Sequence, residues 1–89
     1  MLDLTKQYLR IDGNFEDETI NFLITSAKSY FYNATGKKFD DENDTHKMII
    51  VLLATRWYEN RNLIGSDDLD YTLKSMLLQV DLEGDNDAL

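Results

Sequence analysis

Eighty-nine residues without a cysteine make one domain at most, with neither a disulfide framework nor a thiolate metal site. Seventeen Asp and Glu stand against nine Lys and Arg, a formal charge of −8. That balance argues against a domain gripping nucleic acid by its phosphates and against a basic helix lying on a membrane surface.

A hydrophobic content of 43% is too high for a chain disordered throughout. The opening MLDLTKQYLR shows no basic region followed by an apolar one, so no signal peptide is expected and synthesis inside the cell is the default. Proline is absent, and Gly13, Gly36, Gly65 and Gly84 punctuate the chain. Over roughly 3–10, Leu4, Tyr8 and Ile11 fall at helical spacing, and Asp3 is a candidate N-cap. The next segment carries Ile20, Leu23, Ile24, Ala27, Tyr30, Phe31 and Ala34 three and four residues apart, one stripe of a helix over about 16–34. Asn14 can cap it, Glu16, Asp17 and Glu18 suit the positive end of the helix dipole, and Gly36 can close it in the left-handed conformation.

After the polar connection KKFDDENDT, with Asn43 or Asp44 as cap, a third helix is expected from Thr45 to Asn62. It contains MIIVLLATRWYENR, in which seven apolar residues run straight into charged and aromatic ones. Such a run is far short of the about 20 residues that span a bilayer. A helix apolar on every side belongs in the centre of a bundle. Three short neighbours can hardly cover it completely, so part of it is expected to face another copy or another protein. The loop NLIGSDD follows, then a last helix from Asp67 or Asp68 to about Val80, carrying Leu69, Leu73, Met76, Leu77 and Val80. The predicted architecture is all-α, about four short helices around a central apolar one over residues 1–80. Residues 81–89, DLEGDNDAL, read as an acidic flexible tail.

Catalytic signals are missing. His46 is the single histidine, and a base needs an oriented partner that no residue can be assigned to supply; the expectation is an exposed residue in a polar first turn. Counted from Asp40, the sixth and twelfth positions of a calcium loop would be Thr45 and Val51, and from Asp12 they would be Asp17 and Leu23. Neither start supplies the required glycine and glutamate. The triplets at Asn33 and Asn43 signify glycosylation only in secreted chains. No catalytic residue, metal site or cofactor is expected. Trp57 and Tyr58, flanked by Glu59 and Arg61, form the one aromatic pair beside charges of both signs. They are candidate structural or interface positions, since Trp, Tyr and Arg are enriched where proteins meet.

The order of these pieces resembles the small head–tail connector proteins of tailed bacteriophages and prophages. The pieces are Lys6, Leu9-Arg10-Ile11-Asp12, Asp17, Leu23-Ile24, Ala27, Tyr30, Ala34-Thr35-Gly36 and the closing Trp57-Tyr58-Glu59-Asn60-Arg61, together covering residues 3–80. The last segment departs from the pattern: YTLKSMLLQVDL has neither an introducing proline nor a closing arginine, which leaves the partner of that helix open. The resemblance implies a structural virion protein without a catalytic site, made in the host cytoplasm and resident at the head–tail junction. It implies a ring of about a dozen copies under the portal that extends the DNA channel and offers a platform to a stopper or tail-completion protein. DNA would pass without sequence-specific contact, and no membrane is involved. The alternative from composition is a small acidic regulator or DNA mimic that binds a basic partner. That reading accounts for the charge but not for the motif order.

Overall fold

The computed structural model describes the backbone of residues 1–87 and the side chains of residues 1–83. Four helices, α1 (Leu2–Leu9), α2 (Asp17–Thr35), α3 (Asp44–Glu59) and α4 (Tyr71–Asp87), are joined by short connections, with one 3-10 turn at Arg61–Leu63. No strand occurs among the described residues, so the chain is the small all-α bundle expected. Helix α3 packs on each of the other three and is the centre of the bundle.

Local chemistry sets most of the helix ends. Asn43 caps α3, its Oδ1 accepting the His46 N–H at 3.0 Å. Gly36 ends α2 at φ 71°, its N–H donating to the Tyr32 carbonyl at 2.7 Å, a left-handed closure that costs glycine no steric strain. Other ends differ from expectation. Helix α1 begins at Leu2 rather than at an Asp3 cap. The Asn14 side chain does not cap α2; Glu16 holds that position without a side-chain bond, and Asn14 contributes only its carbonyl to the Asp17 N–H.

Helix α3 stops three residues before Asn62, because Asn60 is extended at φ −143° and its side chain caps the 3-10 turn instead. The cap of α4 is Asp70 rather than Asp67 or Asp68: its Oδ1 accepts the Leu73 N–H at 2.9 Å. Helix α4 continues to Asp87, beyond the expected end at Val80. No proline interrupts the chain there, so the acidic stretch 81–89 starts as helix; residues 88–89 lie outside the described residues.

The core gathers Ile20, Leu23, Ile24, Ala27 and Phe31 of α2 with Ile49, Ile50, Leu53, Ala54 and Trp57 of α3. Leu69 and the α4 residues Leu73, Leu77 and Val80 close it. Burying each large side chain of this set stabilises by about 1.5–3 kcal/mol. Of the seven apolar residues 48–54, only Met48 is exposed and Leu52 half-buried. The central helix is therefore covered far better by its own neighbours than its length suggested. The surplus apolar surface lies elsewhere, on Leu4, Tyr8, Phe15, Phe22, Tyr32, Tyr71, Leu78 and Leu82.

Candidate assembly surface

The four residues singled out in the sequence occupy different environments. Trp57 is fully buried, its ring meeting the edge of Tyr30 at 5.8 Å and 79°, and its indole Nε1 has no hydrogen-bond partner. This is a core anchor with a directional aromatic contact, out of reach of any partner while the bundle is folded. Tyr58, about 100° further round the helix, is half-buried, and its hydroxyl donates to Glu16 Oε2 at 2.5 Å. That bond holds the start of α2 against the end of α3. It also favours the protonated phenol, so the hydrogen bond to Glu16, with burial second, raises the Tyr58 pKa. Glu59 and Arg61 are exposed where α3 gives way to the 3-10 turn. The structure thus divides the group into Trp57 inside, Tyr58 at a helix junction, and Glu59 with Arg61 on the surface.

Several residues noted in the sequence as motif, stripe or cap positions, and Arg56 beside them, turn out to position the connections between helices. Lys6 Nζ meets Asp17 Oδ1 at 2.7 Å and also donates to the Gly13 carbonyl, clamping the connection between α1 and α2. Arg56 Nε donates to the Asp68 carbonyl at 2.9 Å, and the Tyr30 hydroxyl donates to Asp67 Oδ1 at 2.8 Å; together they pin the loop before α4. Burial first, and the Asp67 bond and charge after it, push the Tyr30 pKa up to about 12. Thr35, beside the exposed Ala34, is buried and donates to the Phe31 carbonyl at 2.8 Å.

His46 is not the exposed first-turn residue expected. It is buried against Phe31 at 4.7 Å between ring centres, with Phe39 beyond it at 6.4 Å. Its Nδ1 accepts the Asp40 N–H at 3.1 Å, so the neutral ring carries its proton on Nε2. The cause is tertiary: the 37–43 connection folds back over the start of α3 and brings a donor to the ring. Among the described residues no three His, Cys, Asp or Glu side chains gather as metal ligands.

Helix α1 sits with Thr5 buried and its Leu4–Tyr8 stripe outward. Leu4 and Tyr8 therefore line an open groove of about 480 Å³, whose other wall is Met48 and Val51 of α3. Asp44 and Lys47 lie at its edge as an ion pair of 3.4 Å. On the far side of the molecule, α2 presents Phe22, Thr25, Ser29 and Asn33 along its outer face. Ile64 and Gly65 adjoin this face, and the shallow groove there, about 340 Å³, has no charged residue in its lining. Between Thr19 and Gly36 the chain holds a single charge, Lys28, whose ammonium lies 4.8 Å from the Phe39 ring centre. The groove walled by Leu4, Tyr8, Met48 and Val51 is an exposed apolar surface on a subunit of net charge −8, whereas the outer face of α2 is mostly small and polar and carries the exposed Glu18 one turn before Phe22.

The family model described as "Phage gp6-like head-tail connector protein" matches residues 1–82. No curated protein and no solved structure matches the chain. Among the described residues no helix is long and apolar enough to cross a membrane.

Proposed function

The chain belongs to the phage gp6-like head-tail connector family, a structural component that assembles with other phage head and tail proteins, and from that premise we propose a specific place for it. It closes into a ring of about a dozen copies beneath the portal, extends the DNA channel after packaging, and offers its other side to a stopper or tail-completion protein. The family match over residues 1–82 carries this reading, and the exposed apolar residues of the subunit support it. Glu59 and Arg61 are surface positions available to neighbours in such a ring, while Trp57 and Tyr58 hold the bundle that presents them. The protein would be made in the host cytoplasm and reside at the head–tail junction.

The excess of carboxylates fits a conduit through which DNA must slide. Acidic side chains facing a lumen repel phosphates, and neutralising them is expected to raise DNA retention in a reconstituted ring. The same charge sets subunits against one another at low ionic strength, where exposed charges are least screened. Negative-stain microscopy and light scattering across a salt series test the reading together. Monomers in dilute low-salt solution should give way to closed rings as salt and concentration rise, or when portal is added. A mass independent of salt and of portal would refute it and would leave the acidic regulator as the better account.

A further inference from the structure

Helix α4 carries two apolar stripes, and the subunit uses only one of them internally. Leu73, Leu77 and Val80 are buried in the core. Tyr71, Ser75, Leu78 and Leu82 follow one another at intervals of four, three and four residues. They lie about 140–180° round the helix from Leu73 and Val80, at about 100° per residue. Tyr71 is 84% exposed, Leu78 58% and Leu82 56%. Their spacing is the a and d pattern of a helix that pairs with another helix. The next positions of that pattern in either direction, 68 and 85, are aspartates, so the stripe is bounded at both ends.

Charges beside the stripe select the other helix. Lys74 and Asp81, both exposed, flank it on one side, and the uncharged Thr72 and Gln79 flank it on the other. Glu83, the remaining charged side chain described on α4, stands about 100° from Leu82 and outside the stripe. Opposite charges at flanking positions set partner and orientation in paired helices. When a second α4 is laid antiparallel, Lys74 of each copy comes opposite Asp81 of the other. Tyr71 then faces Leu82, and the small Ser75 leaves room for Leu78. A parallel pair would put Lys74 beside the uncharged Gln79 and would gather the acidic ends of both helices together.

We propose that this stripe receives the α4 of a second copy of this chain, antiparallel across a two-fold axis. Residues 71–82 complement themselves when their direction is reversed, in charge as well as in size. Such a contact is isologous and closes at two copies. It therefore pairs free subunits and does not link neighbours round a ring of one polarity. Three large side chains from each copy make it a weak contact, so dilute protein remains single.

Analytical ultracentrifugation over a concentration series tests this. The wild-type chain should show a species of twice the 10.4 kDa chain mass before any larger one. Leu78→Glu should raise the dimer dissociation constant by about thirtyfold, the loss of one interface hot spot, and Tyr71→Glu is the second such variant. Both side chains lie outside the core, and circular dichroism checks that the bundle is intact. Lys74→Asp leaves acids at both flanking positions and Asp81→Lys leaves bases at both. Each alone should pair about tenfold more weakly than wild type. Mixed one to one, the two should pair with each other, and the double variant should regain wild-type pairing.

A dimer untouched by Leu78→Glu and Tyr71→Glu overturns the proposal. So do charge variants that pair no better mixed than alone, and a wild-type chain without a dimer at any concentration. Normal rings from Leu78→Glu would uphold a contact separate from the ring. Rings lost together with the dimer would place the stripe between ring neighbours and remove the two-fold assignment. A dimer that responds to the variants as stated, in a chain that never forms rings, upholds this contact and refutes the ring alone.

Discussion

Within the apolar run of α3, Ile50 and Met48 are adjacent in kind but opposite in environment, and truncating each separates the core from the open groove. Ile50 is fully buried, so Ile50→Ala loses its transfer free energy and leaves a cavity, together about 3 kcal/mol within a usual range of 2–5. Met48 retains 45% exposure and lines a groove already open to water. Met48→Ala therefore loses about half of a buried side chain's contribution, about 1 kcal/mol, with no cavity to add.

An 89-residue domain has a total stability of about 4–13 kcal/mol, so the first change removes a large share and the second a small one. At about 4–8 °C per kcal/mol, the Ile50 variant should melt about 12–24 °C lower and the Met48 variant about 4–8 °C lower. Far-UV circular dichroism of dilute, unassembled protein reads both, with urea midpoints as a check. Equal losses would mean that the groove is closed in solution and that α3 is covered all round. A silent Ile50→Ala would remove α3 from the centre of the core.

The raised Tyr30 pKa makes stability fall in alkali. The folded state holds this proton more tightly than the unfolded one, so the contribution is intact below about pH 10 and is lost as pH climbs toward about 12. A rise from 10.0 to about 12 corresponds to about 2.7 kcal/mol, which solvent screening of this partly exposed group reduces to about 1 kcal/mol. Tyr30→Phe should flatten that part of the pH–stability curve, and an unchanged slope would contradict the assignment. The caps of α3 and α4 provide a second check: Asn43→Ala and Asp70→Ala should each cost about 1 kcal/mol, whereas Asp68→Ala, whose exposed side chain makes only a 3.7 Å contact with Arg56, should cost clearly less. Urea titrations that rank Asp68 with Asp70 would return the cap to a position expected from the sequence.

What the sequence determined by itself was much of what depends on near neighbours along the chain, though not the N-terminal caps of α1, α2 and α4. The 3.6-residue spacing of Ile20, Leu23, Ile24, Ala27 and Phe31 is enough to make α2 and to choose its buried side. Gly36 ends that helix because its own backbone tolerates a left-handed turn, and Asn43 caps α3 because its oxygen reaches a donor three residues on. The seven-residue apolar run made α3 central, and the order of short motifs carried the family. Composition alone was silent about ring and channel.

Tertiary structure decided what depends on docking. Leu4 and Tyr8 have core-like spacing, yet α1 turns Thr5 inward and leaves that stripe outward. His46 became a buried acceptor only when the Asp40 N–H arrived from the folded-back connection. Trp57 and Tyr58, neighbours in the chain, parted into a core ring and a hinge to Glu16, since adjacent helical residues point about 100° apart. Coverage of a helix is a property of the packed set and not of its own residues, so the position of the surplus apolar surface could be found only once the four helices were placed together.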